Sequence, residues 1–117
     1  MRILLAVGDT DLRLSLELLL SEEPGIRIVG SVIDTRSLLA LVNSIVPDLL
    51  LLDLDLPGCP IQTVLGEIQT LPRQPKIIVL GRQSSSKESA FRAGVDLYLT
   101  KGDPPERLLG AIRALNA

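Results

Sequence analysis

Five side chains in this sequence could do chemistry together: the carboxylates of Asp9, Asp53 and Asp55, the guanidinium of Arg82 and the ammonium of Lys101. A carboxylate can serve as a nucleophile or hold a hard cation, and a Lys or Arg beside it can neutralise an anionic group in transit. Each of the five follows or closes a short apolar run: V-G-D at residues 7–9, D-L-D-L-P-G at 53–58, G-R at 81–82 and T-K-G at 100–102. Taken singly, any of them reads as a solvated loop charge or, for Asp9, as a helix cap. Taken together they form a combination of acids and cations at equivalent points of a repeating pattern.

The composition excludes most competing chemistry. There is no histidine, and Cys59 is the lone cysteine, which rules out disulfide frameworks, His-containing zinc sites, Cys/His pairs and Ser-His-Asp triads. Twelve basic residues against fourteen acidic ones leave a net charge of −2, without the cationic excess that a nucleic-acid backbone demands. Phe91 and Tyr98 are the only aromatics, too few for a base-stacking platform. No nucleic-acid contact by this segment alone is expected. Apolar residues make up 46% of the 117, which argues against disorder, yet they come in blocks too short to span a membrane. The beginning lacks the long apolar region of a secretory signal, so a cytoplasmic location is expected.

Those blocks define the elements that must position the five side chains. Continuous or alternating apolar runs of strand length cover 3–7, 26–32, 49–52, 76–80 and 97–100. Helical periodicity fills the intervals over 10–23, 35–46, 62–70 and 86–93, with a fifth helix opening at Pro104-Pro105 under Asp103. Prolines 24, 47 and 72 terminate the first three, and Gly94 is placed to end the fourth. Five alternations of strand and helix predict one α/β domain over 1–117: a doubly wound parallel sheet with its functional groups at the carboxyl ends of the strands.

The segment P-D-L-L-L-L-D-L-D-L-P-G at 47–58 resembles the phosphorylation segment of response regulator receiver domains, and A-G-V-D-L-Y-L-T-K at 93–101 resembles their fifth-strand segment. The likeness extends along the whole chain, through residues 2–5, Glu23-Pro24, Arg92-Ala93-Gly94 and 105–109. It implies the flavodoxin-like (βα)5 topology with strand order 2-1-3-4-5, and a place as the N-terminal part of a longer regulator in two-component phosphorelay signalling. It implies that Asp53 accepts the phosphoryl group, that Lys101 pairs with it, and that Tyr98 is the aromatic that changes rotamer on activation. A sensor histidine kinase or another signalling protein is the implied partner.

The same resemblance exposes departures. The acidic pair that holds Mg²⁺ in the family corresponds to Val7 and Gly8 here, so Mg²⁺ binding is expected to be weak or absent, with Asp9, Asp53 and Asp55 as the remaining weak candidates. The switch Ser or Thr corresponds to Gly81, which has no hydroxyl. Arg82 follows it, and is expected either to fold over Asp53 as a substitute positive charge or to face solvent. The expectation is an atypical receiver with an inefficient phosphoacceptor; the alternative is a pseudo-receiver acting by protein interaction or dimerisation. Leu14 and Leu18 support the alternative, because at 100° per residue they lie about 200° and about 240° around the first helix from Leu12 and fall off its buried stripe. A small cofactor-binding enzyme on the same fold is a remote third reading, disfavoured because V-G-D-T-D-L contains no phosphate-cradling glycine loop. No enzymatic activity is expected.

Overall fold

The computed structural model describes residues 1–82, 90–91 and 93–116. Five strands, β1 (Arg2–Ala6), β2 (Arg27–Val32), β3 (Leu49–Asp53), β4 (Lys76–Gly81) and β5 (Leu97–Thr100), form one parallel sheet in the order β2-β1-β3-β4-β5. The described helices are α1 (Thr10–Ser21), α2 (Thr35–Ile45), α3 (Ile61–Ile68) and α4 (Pro105–Asn116). The helix expected over 86–93 lies largely outside the described residues; Ala90 and Phe91 are helical, and Gly94 follows at φ +98°. No helix is long and apolar enough to cross a membrane among the described residues.

The period-two geometry of the strands divides the core into two layers. Leu4, Ala6, Leu50, Leu52, Ile77 and Val79 point to the side covered by α2 and α3. Ile3, Leu5, Leu49, Leu51, Ile78 and Leu80 point to the side covered by α1 and α4. β3 is buried at every residue, as a central parallel strand must be, whereas β2 at the edge carries only one buried residue, Val32. The other edge is β5, which is short and buried at Tyr98 and Leu99.

Local signals explain the boundaries. Asp9 caps α1 by accepting from the Leu12 amide, and Asp34 caps α2 by accepting from the Ser37 amide. The second helix ends at Ile45, one residue before the expected limit, because Val46 takes the left-handed conformation, φ 51°. The third starts at Ile61 behind Pro60, which lacks a donor that a helix start would leave unused anyway. Asp103 departs from the expected forward cap: its carboxylate turns back to accept from the Thr100 amide at 3.0 Å and pairs with Arg107 at 3.3 Å. The two helices on one side are also tied at their far ends, where Arg113 of α4 makes a two-pronged contact with Glu23 at 2.6 and 3.0 Å.

Candidate functional site

Register brings the site together. Asp53 is the last residue of β3 and lies opposite Leu80 of β4, and the Leu54 amide donates to the Leu80 carbonyl at 2.8 Å. Gly81 lies opposite Thr100, and the Lys101 amide donates to the Gly81 carbonyl at 2.8 Å. Asp53, Gly81 and Lys101 therefore share the carboxyl edge of three neighbouring strands. On the other side, Ala6 pairs with Leu52, which sets Val7 and Gly8 beside the same edge.

At that edge the charges are paired rather than scattered. Lys101 Nζ lies 2.7 Å from Asp53 Oδ1 and 3.1 Å from Asp55 Oδ2, so one ammonium joins both acids. The Asp55 amide also donates to Asp53 Oδ1 at 2.9 Å. Asp53 is 1% exposed, and a buried carboxylate needs such partners because its desolvation is otherwise prohibitive. The hydrogen bond from Lys101 holds the Asp55 carboxyl below its ordinary pKa, with Lys101 and Arg82 adding the attraction of their charges against a smaller effect of burial. Burial alone would depress the pKa of Lys101, but the hydrogen bonds and charges of Asp53 and Asp55 outweigh it and hold the ammonium above the ordinary lysine value.

Arg82 is placed differently from one expectation: it does not lie over Asp53, and its Nε instead donates to Asp55 Oδ2 at 2.8 Å, with 77% of its side chain exposed. Asp55 therefore competes for the guanidinium, being the nearer and more hydrated acid. Tyr98, on β5, is buried. It is 5% exposed, and its phenol lies over Gly81 so closely that a Cβ there would overlap the hydroxyl and ring.

The three weak metal candidates, Asp9, Asp53 and Asp55, do not form a common site. Val7 is fully buried in the core, and Gly8 is closed in by Pro57 Cδ and the Ile33 carbonyl, 3.0 and 3.3 Å from where its Cβ would be. Asp9 is engaged as the cap of α1. Among the described residues no group of three His, Cys, Asp or Glu could hold an ion, and the point between Asp53 and Asp55 is taken by the Lys101 ammonium. This set does not fit Mg²⁺, which favours near-octahedral oxygen ligands.

Thr35 joins the site without any local pattern that marks it. It is 2% exposed, and its hydroxyl accepts from the Cys59 amide at 3.0 Å, while its own amide donates to the Pro57 carbonyl at 2.9 Å. The start of α2 thereby fixes the loop that leaves Asp53. Gly58, at φ +125°, permits the approach, since a Cβ there would strike the Thr35 hydroxyl. A glycine ending D-L-P-G is the one local sign of such a contact; its partner, 23 positions earlier, carries no periodic mark.

The response regulator receiver domain family matches residues 3–113 of the chain. The chain belongs to that family. This receiver domain is 32% identical over 112 residues to the nitrate/nitrite response regulator protein NarL of Escherichia coli, covering 94% of the chain and 52% of that protein. It is 34% identical over 105 residues to the Fimbriae Z protein of Salmonella typhimurium, covering 88% and 50%. Among solved structures, a LuxR-family two-component response regulator from Aurantimonas superimposes with TM-score 0.88 at 28% identity, covering 97% of the receiver domain and 83% of that chain. The receiver domain spans about half the length of the curated relatives it matches. The observed sheet order and the family assignment agree with the expected receiver topology.

Away from the acids, Leu14 and Leu18 stand 54% and 66% exposed on α1. Leu18 rims an apolar groove of about 380 Å³ between α1 and α4, lined also by Leu12, Leu19, Pro104 and Leu108.

Proposed function

We propose that this receiver domain works in a longer cytoplasmic response regulator, where Asp53 accepts a phosphoryl group inefficiently from a sensor histidine kinase or another signalling protein. One observation carries the reading: Asp53, buried at the carboxyl end of the central strand, meets the Lys101 ammonium at 2.7 Å. A nucleophilic carboxylate and a fixed cation are the two elements that transfer to an acid needs at minimum. Low efficiency follows from Val7, Gly8 and Gly81, which supply neither metal ligands nor a hydroxyl. The LuxR-family relative and the half-length match to the curated relatives support an output module in the rest of the protein. The signalling reading stands ahead of a cofactor-binding enzyme because the family match covers nearly the whole chain.

The second reading, a phosphorylation-independent interaction module, is favoured by the packing of Tyr98 over Gly81 and by the exposed Leu14 and Leu18. On this reading the α1 face, with its apolar groove, receives a second copy of the chain, giving a homodimer.

Incubation with acetyl phosphate in the presence and absence of Mg²⁺, followed by intact mass, tests the leading reading. It predicts slow gain of one phosphoryl group in the wild type and none in Asp53→Asn. Equal gain in both proteins would refute Asp53 as acceptor, and no gain in either would leave the interaction module as the function.

A further inference from the structure

The donor set at the mouth of the sheet suits a phosphoryl oxyanion better than a divalent metal. Lys101 Nζ already occupies the space between the carboxylates of Asp53 and Asp55, where a bridging cation would have to sit. On the opposite side Gly8 offers no side-chain oxygen, and Pro57 and the Ile33 carbonyl close the space in which one could stand. Two cations and two carboxylates make the resting cluster neutral.

Arg82 is the loosely held member of the cluster. It lies two residues beyond Leu80, the partner of Asp53 across β3 and β4, so its backbone is anchored beside the acceptor. Its contact with Asp55 Oδ2 is between side chains that are 77% and 46% exposed, and such exposed pairs exchange readily. Asp55 can be rehydrated when released, whereas Asp53 at 2% side-chain exposure cannot. Lys101, by contrast, is held by both acids.

Resting on the reading of Asp53 as phosphoacceptor, we propose that Arg82 is the mobile counter-cation of a metal-independent phosphoryl site, leaving Asp55 for the phosphoryl oxygens as Asp53 is modified. With acetyl phosphate as donor, an Asp53 carboxylate oxygen attacks phosphorus, the new O–P bond forms, and the P–O bond to the acetyl group breaks. The electron pair departs with acetate, and no proton moves. The single negative charge of Asp53 becomes an aspartyl phosphate of nearly two, which Lys101 and Arg82 together balance. The guanidinium fork is suited to two phosphoryl oxygens at once, which an ammonium is not.

The test follows the rate of phosphoryl gain by intact mass, with acetyl phosphate in either Mg²⁺ or EDTA, for wild type, Arg82→Ala and Arg82→Lys. The expected result is the same wild-type rate in both conditions, a fall of about tenfold to a hundredfold in Arg82→Ala, and partial recovery in Arg82→Lys. The melting temperature of Arg82→Ala should be unchanged, which separates a role in transfer from one in folding. A wild-type reaction that requires Mg²⁺, or one in EDTA that Arg82→Ala leaves intact, overturns the counter-cation while Asp53 stands as acceptor. No gain under any condition overturns both.

Discussion

The phenol of Tyr98 occupies the space that any side chain at residue 81 would need. Gly81 is therefore the partner that lets the ring lie inward, and restoring a hydroxyl at that position would expel the ring instead of completing a switch. Tyr98 is the only tyrosine and there is no tryptophan, so intrinsic fluorescence reports this contact alone. In the wild type, quenching by acrylamide should be slow, and Gly81→Thr should make it fast while lowering stability by about 1–3 kcal/mol through overpacking. Unchanged quenching in Gly81→Thr would show that the notch has room that the structure denies it.

The Thr35 clamp predicts a second stability effect. Thr35→Val keeps the shape but leaves the Cys59 amide without its acceptor, a loss of about 1–3 kcal/mol in urea unfolding. Gly58→Ala meets both the positive φ and the Thr35 hydroxyl, and should cost about as much or more. If Gly58→Ala is neutral, the loop after Asp53 is not fixed from α2.

Stability should depend on pH at both extremes. Asp55 has a depressed folded pKa, so its contribution is complete above the unfolded carboxylate value near ~3.9 and is lost as pH falls through the folded value. Lys101 has a raised folded pKa, so its contribution is complete below the unfolded value near ~10.4 and is lost as pH rises through the folded one. Melting temperature should therefore be flat around neutrality and fall on both sides. Lys101→Ala should remove the part of the alkaline fall due to Lys101 and cost about 2 kcal/mol at pH 7, since it strips the cation from a buried carboxylate in a partly hydrated site. An alkaline limb identical in Lys101→Ala would mean that the pair does not contribute.

Self-association is expected to depend on the exposed leucines. Leu14→Glu with Leu18→Glu should lower the solution mass measured by light scattering from dimer to monomer, with the circular dichroism spectrum retained. A wild type that is monomeric at every concentration would count against the α1 face as a homodimer surface.

Strand and helix order was legible because each element satisfies its own local rule. The uninterrupted apolar run at 49–52, short and bounded by Asp48 and Asp53, reads as a buried parallel strand, and Asp9 and Asp34 cap the helices that follow them. Asp53 and Lys101 were legible through family resemblance and their position after strands, and the fold then brings them into contact. What local pattern could not reveal was how side chains distant in sequence divide their partners. Arg82 chose Asp55 over Asp53 because the exposed acid is the easier one to reach, a matter of hydration that no spacing encodes. Thr35 was hidden for a related reason: as a first-turn helix residue it looks like part of a cap, and only the loop folded back at Gly58 makes its hydroxyl a clamp. Tyr98 reads as a strand aromatic until the missing side chain of Gly81 is placed beneath it.

Asp53, and no other acid, is proposed to take the phosphoryl group. Reduction of the acetyl phosphate-treated protein with labelled borohydride, followed by peptide mapping, would convert an aspartyl phosphate into a stable marked residue at its own position. The label is expected at residue 53 alone; label at Asp9 or Asp55, or none at a detection limit that finds it in an efficient receiver domain, would contradict Asp53 as the acceptor.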